Sequence, residues 1–315
     1  MFQIMVNQSG KNILPFPQVV RIEPAASCNF KCIHCPTGLD MSPTGIMSPE
    51  TFTKVVSSLE KVITKQGHLF KVIVLYHGGE PLLNKNFFEM VRISKKLAGF
   101  VKTVTNGSKL NNEVIQKIID SGLDHIEVSL DGISAGENDK IRINHVGATF
   151  DSISKQVIAL IKMRRQKGKQ TPKVFISNTQ IPETTEQTVN EPQEPQYILD
   201  AFKDVADDIT CKCAWAMVWP GMPVKTQNRP DFNFCIHVVQ DITIRSNGDV
   251  VPCCYDLINK MPMGNILLED LETLWNNQNY QNLRKDVEDF NPPNLCRSCP
   301  MLYNFKPMTK SDIFI

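Results

Sequence analysis

A chain of 315 residues with 42% hydrophobic and 8% aromatic content can bury a large core and is long for one domain, so one large and one smaller domain are expected. Its 34 basic residues nearly cancel 33 acidic ones, and a net charge of +1 gives no electrostatic basis for a nucleic-acid or anionic-membrane partner. No apolar run reaches the ~18 residues of a membrane span, and the opening MFQIMVNQSGKNILPF lacks the basic and apolar parts of a secretory signal, so a cytoplasmic protein is expected.

Taken in chain order, VVRIEP (19–24) reads as a strand running into a cysteine-bearing loop. Ser48 is placed to cap a helix with Pro49 in its first turn, and Phe52, Val55, Val56, Leu59, Val62 and Ile63 trace one apolar helical face. The pattern then alternates: a strand at 70–76, a helix over about 84–98, a strand at 100–105, and a helix carrying Val114, Ile115, Ile118 and Ile119. A strand at 125–130, a loop at 133–150, a helix marked by Ile153, Val157, Leu160 and Ile161, and a strand at 173–177 follow. A helix near 195–206 and a strand near 208–217 complete about six β/α units, too few for an eight-unit barrel, with strands apolar enough to be buried on a parallel sheet. The acidic, proline-containing stretch 179–196 reads as an exposed connection. From residue 218 short strands, turns and cysteines replace the alternation, which predicts a small cysteine-rich domain over 218–315 after a core over 18–217.

Ten cysteines in a reducing compartment suit metal or redox chemistry better than disulfides. Three stand in CNFKCIHC (28–35), two in CKC (211–213), and the rest are Cys235, Cys253, Cys254, Cys296 and Cys299. A structural zinc usually takes four ligands, and no nearby pair completes a ribbon with Cys28, Cys32 and Cys35. Thiolates at C-x3-C-x2-C spacing can instead hold three irons of a [4Fe–4S] cube and leave the fourth iron free.

Through Cys28, Cys32 and Cys35 the chain resembles the radical S-adenosylmethionine (radical SAM) enzymes, with His34 where the family often has an aromatic residue. The resemblance covers residues 18–217 and implies a partial (β/α)6, TIM-like barrel. It also implies that S-adenosylmethionine chelates the free iron and that one electron releases a 5′-deoxyadenosyl radical. HGGEP (77–81) resembles the family's GGE motif: Gly78 and Gly79 permit close backbone approach, and Glu80 is placed to accept from the α-ammonium of the cofactor. Asn106 in TNG, Ser129 in SLDG and the later Arg142 occupy places that contact ribose and carboxylate in the family, Arg142 as a carboxylate clamp.

The C-terminal segment resembles SPASM domains and their shortened twitch form, through Gly248 to Cys253, GNI (264–266) and LETLW (271–275). Cys235, Cys253, Cys296 and Cys299 would then close one auxiliary [4Fe–4S] cluster, with Cys254 as the alternative to Cys253 and zinc as the alternative metal. The function implied is dehydrogenation of a small molecule with the auxiliary cluster as electron acceptor, driven by a reductant such as flavodoxin or ferredoxin. Alternatives are an epimerase drawing a hydrogen atom from Cys211, Cys213 or Cys254, and a maturase of ribosomal peptides. The short stretch ahead of residue 18 leaves no room for the peptide-recognition domain many such maturases carry. Outside enzymology, an electron-transfer or zinc-binding module is the remaining alternative.

Overall fold

The apolar runs expected as buried strands pair side by side in the computed structural model, which describes residues 16–220, 230–303 and 309 and the short strands β1 (Met5–Val6) and β2 (Asn12–Ile13). The side chains of residues 185, 186 and 298 fall outside that description, as does most of the N-terminal stretch read as lacking a signal. Six strands, β3 (Val19–Ile22), β4 (Phe70–Leu75), β5 (Ala98–Thr105), β6 (His125–Ser129), β7 (Lys173–Gln180) and β8 (Ile209–Trp215), lie parallel in sequence order. Helices α1 (Pro49–Gln66), α2 (Phe87–Leu97), α3 (Asn112–Asp120), α4 (Ala135–Ile141), α5 (Phe150–Gln166) and α6 (Gln196–Phe202) fill the crossovers. This is the partial barrel of six β/α units.

Local chemistry explains the helix boundaries. The Ser48 side chain accepts from the Thr51 amide ahead of Pro49, and α1 ends where Gly67 turns left-handed at φ 74°. Thr149 and Ser152 cap α5 reciprocally. Helix α4 was hidden in a stretch read as loop, because AGENDKI offers a single large apolar residue, Ile141; it forms where Ser134 caps the Glu137 amide. The connection after β7 contains a 3-10 turn at Thr185–Val189, and Gln180 reaches across it to the Gln193 carbonyl.

The two faces of the sheet differ in kind. Val20, Ile22, Ile73, Leu75, Val101, Ile126, Val128, Val174 and Ile176 lie beneath the helices with Leu59, Val91, Ile118 and Leu160, all essentially inaccessible. Each such side chain contributes roughly 1.5–3 kcal/mol on burial. The opposite face carries Arg21, Tyr76, Lys102, His125, Glu127, Ser129, Phe175, Ser177 and Lys212, and the register sets these in adjacent rows.

The C-terminal segment continues the same sheet. β9 (Asp241–Ile244) pairs parallel with the free edge of β3, and β10 (Asp249–Val251) and β11 (Gly264–Asn265) extend it antiparallel. Helices α7 (Ile236–Gln240), α8 (Leu271–Trp275) and α9 (Gln278–Glu288) pack beside it. The Arg284 guanidinium lies 4.2 Å over the buried Trp275 ring and donates to the Trp275 and Val238 carbonyls, which locks α9 to α7 and so positions Cys235 at the start of α7.

His125 sits on the polar face against Phe175, ring centroids 4.0 Å apart, where burial and then Lys102 and Lys212 lower its pKa to about 4. The unfolded chain therefore takes up this proton near pH 6.5 and the folded chain only near 4. The contribution is complete above 6.5 and declines as pH falls between those values. Counted down to about pH 5.5, one unit below the unfolded value, the loss is about 1–2 kcal/mol. Denaturant midpoints at about pH 7.5 and about pH 5.5 should differ less in His125→Gln than in the parent chain; an unchanged difference would exclude His125 as the source.

Candidate functional site

The Cys28–Cys35 loop leaves the carboxyl end of β3, where strand ends in parallel α/β folds gather chemistry. It is anchored from three sides. Lys31 and Ile33 amides donate to the Ile143 and Ile141 carbonyls, at 2.6 and 3.1 Å. Asn29 exchanges hydrogen bonds with the β5 loop: its amide donates to Ser108 at 2.9 Å, and Asn106 donates back at 2.9 Å. Beneath it the GGE segment is pressed against the loop stem, the Glu80 amide donating to the Ser27 carbonyl at 3.0 Å. A Cβ on Gly79 would lie 2.4 Å from that carbonyl oxygen, so only glycine allows the approach.

Cys28, Cys32 and Cys35 are all half-buried; Cys28 feels the charge of Cys35, and Cys32 feels both Cys35 and Cys28. Burial raises the Cys28 thiol and pushes Cys32 up to about 12, Arg142 opposing in both cases. Cys28 and Cys32 stay protonated at neutral pH until a metal displaces the protons. The Phe30 amide and the Asn106 amide group point at Cys28 Sγ, at 3.4 and 3.8 Å, the pattern that stabilises thiolate ligands of iron–sulfur clusters.

The other predicted residues converge here. Arg142, at the end of α4, is buried, lies 5.4 Å over the Phe30 ring, and donates from Nη1 to Asp131 at 2.7 Å. Its Nε is buried with no hydrogen-bond partner among the described residues, a donor left over beside Cys32 and Cys28. Glu80 is buried, and burial raises its pKa even though Thr105 and the Leu82 and Asn106 amides all donate to it. Of a carboxylate's roughly four lone-pair sites, about one remains for a further donor. Ser129, at the end of β6, is half-buried and accepts from Ser177 at 3.3 Å. Thiols, an orphaned guanidinium donor and close-packed glycine backbone fit a thiolate-bound cluster carrying a small zwitterion.

Asp131 was not singled out from the sequence, its only signal being its place in SLDG beside Ser129. Asp131→Ala would strand the buried Arg142 charge, and denaturation of the variant should show a loss of about 3–5 kcal/mol. A loss below about 1 kcal/mol would mean that Arg142 relaxes to solvent.

Glu23 was also missed, although a glutamate closing an apolar strand is itself a signal. It is inaccessible, accepts from the Gly78 and Ser246 amides at 3.1 and 3.0 Å, and lies 3.6 Å from Arg245. Arg245 donates onward to the Leu257 carbonyl at 2.8 Å, and His77 lies 3.4 Å from the Asp256 carbonyl. The GGE loop, β3 and the C-terminal segment are therefore wired together through one buried pair.

In that segment burial raises the pKa of Cys235, Cys253, Cys296 and Cys299, Cys299 to about 12. Cys253 feels Cys254, Cys296 and Cys299, and Cys296 feels Cys299 and Cys235, so the four expected ligands form one neighbourhood. After its own burial, Cys254 feels Arg21 of the polar face most strongly. Cys211 and Cys213 are turned the other way: they register with Ile176 and Asn178, facing the helices, with sulfurs 3.9 Å apart. Both therefore lie across the sheet from Arg21 and Lys102.

Among the described residues no helix is long and apolar enough to cross a membrane. Comparison with known families matches the Radical SAM superfamily over residues 22–191 and an iron–sulfur cluster-binding domain, SPASM, over residues 235–300. A tungsten-containing aldehyde ferredoxin oxidoreductase cofactor-modifying protein of Pyrococcus furiosus is 24% identical, covering 89% of this chain and 86% of that one. A PqqA peptide cyclase of Rhodopseudomonas palustris is 26% identical over 44% of this chain, which spans 35% of that relative's length. Among solved structures, BtrN in complex with AdoMet and 2-DOIA aligns with a TM-score of 0.57 at 19% identity, over 90% of this chain and 93% of that one.

Proposed function

This chain belongs to the radical SAM superfamily and carries a C-terminal SPASM iron–sulfur domain, and from that premise we propose that it oxidises a small-molecule substrate by hydrogen-atom abstraction, the C-terminal thiol centre taking the second electron. Its cofactors are S-adenosylmethionine and [4Fe–4S] clusters. One cluster would be held by Cys28, Cys32 and Cys35 and, with S-adenosylmethionine bound and an electron from a flavodoxin or ferredoxin, would supply the one-electron chemistry that abstracts a substrate hydrogen. The chain's own residues do the positioning. The Nε of Arg142, without a partner among the described residues, would meet the carboxylate of S-adenosylmethionine, and the remaining lone pair of Glu80 would accept from its ammonium. Gly78 and Gly79 would let the backbone lie close to it, and Asn106 and Ser129 would be the residues to meet its ribose. Cys235, Cys253, Cys296 and Cys299 hold one auxiliary cluster.

One observation carries this reading: both thiol centres border the same polar face. Tyr76 feels Cys35 and Cys28 on one side and Arg21 and Glu127 on the other, while Lys102 and Arg21 lie within electrostatic reach of Cys254. A substrate on that face sits between the site of abstraction and an electron acceptor. Similarity to the PqqA peptide cyclase supports a second reading, in which the same steps act on a peptide.

The test is turnover by anaerobically reconstituted protein. Dehydrogenation yields one 5′-deoxyadenosine per product, the product lacking two hydrogens. Cys296→Ala should retain 5′-deoxyadenosine release and lose that product. A bond newly closed within a peptide selects the second reading, and a product of unchanged mass overturns oxidation altogether.

A further inference from the structure

We propose that the polar face binds its substrate through a carboxylate, held between Arg21 of β3 and Lys102 of β5 with Lys212 of β8 reinforcing the positive field. The inference rests on the reading that this face receives the substrate, and adds the substrate's charge class. In the register Arg21 pairs with Val74, and Val74 with Lys102, so the two cations flank Val74 across two strand spacings, roughly 10 Å. Both are long, half-buried side chains able to close on an anion in that gap.

The neighbouring groups compensate the field only in part, through Glu127. Glu127 is the carboxylate on the same face, diagonal to Lys102 across β5 and β6. Glu23 is engaged by Arg245, Gly78 and Ser246, and Asp241 by His237 at 2.6 Å. His125 is neutral at pH 7. Among the described residues, Arg21, Lys102 and Lys212 have no carboxylate within ion-pair distance, and the Nε of Arg21 is buried without a hydrogen-bond partner. An unsatisfied buried donor is costly, and like charges sharing one face repel. Burial first, then Arg21 and Lys212, lower the pKa of Lys102 against the pull of Glu127. A carboxylate over Val74 satisfies the donor and relieves the repulsion at once. Tyr76, two residues beyond Val74, lies between these cations and the Cys28–Cys35 loop, so an anchored substrate extends toward the site of hydrogen abstraction.

Carboxylates come from free acids or from peptide side chains, and calorimetry on the anaerobically reconstituted full chain separates the two. The probes are glutarate against glutaramide, and acetyl-Ala-Glu-Ala-amide against its Gln counterpart. Preference for the charged member in either pair supports the proposal, and the more tightly bound charged probe identifies the source. Arg21→Gln should weaken that probe about tenfold. Glu127→Gln should tighten it about twofold to fivefold, the opposite direction from any loss through misfolding. Equal binding of charged and neutral probes, or affinity unmoved in both variants, overturns the proposal. Release of 5′-deoxyadenosine by the parent protein is measured alongside: its absence removes the reaction assigned above and leaves the carboxylate site standing on the calorimetry.

Discussion

Replacing Cys32 with alanine should reduce 5′-deoxyadenosine formation from S-adenosylmethionine to the level seen without protein. Cys32 is the middle thiol of a loop whose backbone is pinned on both sides by the Ile141–Ile143 carbonyls, so no neighbouring group can move in to replace it. A cube short of one thiolate is not held, and with it goes the vacant iron corner on which cofactor cleavage depends. Iron content should fall by about the share belonging to the N-terminal site, while the C-terminal site keeps its own. The same readout on Cys211→Ala is the control, because that thiol faces the helices and should leave both iron content and cleavage near the parent values. Full iron and full cleavage in Cys32→Ala would mean that some other residue ligates.

The second large effect is expected from one methyl group. Gly79→Ala places a Cβ 2.4 Å from the Ser27 oxygen, 2.5 Å from the Ala25 oxygen and 2.6 Å from the Ala26 carbonyl carbon, all backbone atoms that cannot swing aside. Overpacking of this kind costs about 1–3 kcal/mol or more. The strain falls on the stem of the cysteine loop, and relief comes by losing the Glu80-to-Ser27 hydrogen bond and displacing Cys28. The variant should unfold at lower denaturant and bind less iron at the N-terminal site. Gly136→Ala, in α4 with nothing within 4 Å of the added carbon, should be neutral or slightly stabilising. Similar behaviour of the two variants would show that the close approach at Gly79 relaxes without consequence.

Much of this was written locally. The strand and helix alternation, the Ser48 cap and the cysteine spacing each depend on residues near one another in the chain, and such patterns follow from backbone and side-chain periodicity. Helix α4 escaped because seven residues with one large apolar side chain carry little periodic signal, and its support comes from a cap and from packing. Asp131 and Glu23 escaped for another reason. A carboxylate becomes a structural necessity only beside the buried guanidinium it neutralises: Arg245 stands far along the chain from Glu23, and Arg142 meets Asp131 only once helix α4 has turned the chain back.

The amino-acid order alone determined that thiols would cluster at a strand end and again near the C-terminus, and that six β/α units would precede the second cluster, because spacing and periodicity are properties of neighbours. Only the tertiary structure decided which face each side chain occupies. Strand register sends Arg21 and Lys102 toward one polar surface, within electrostatic reach of Cys254, and turns Cys211 and Cys213 away. The pairing of β9 with β3 brings the second thiol centre to that surface. Such pairings join segments more than two hundred residues apart, as Ser246 joins Glu23, and are set by which hydrogen-bonding edges and buried charges find partners in space.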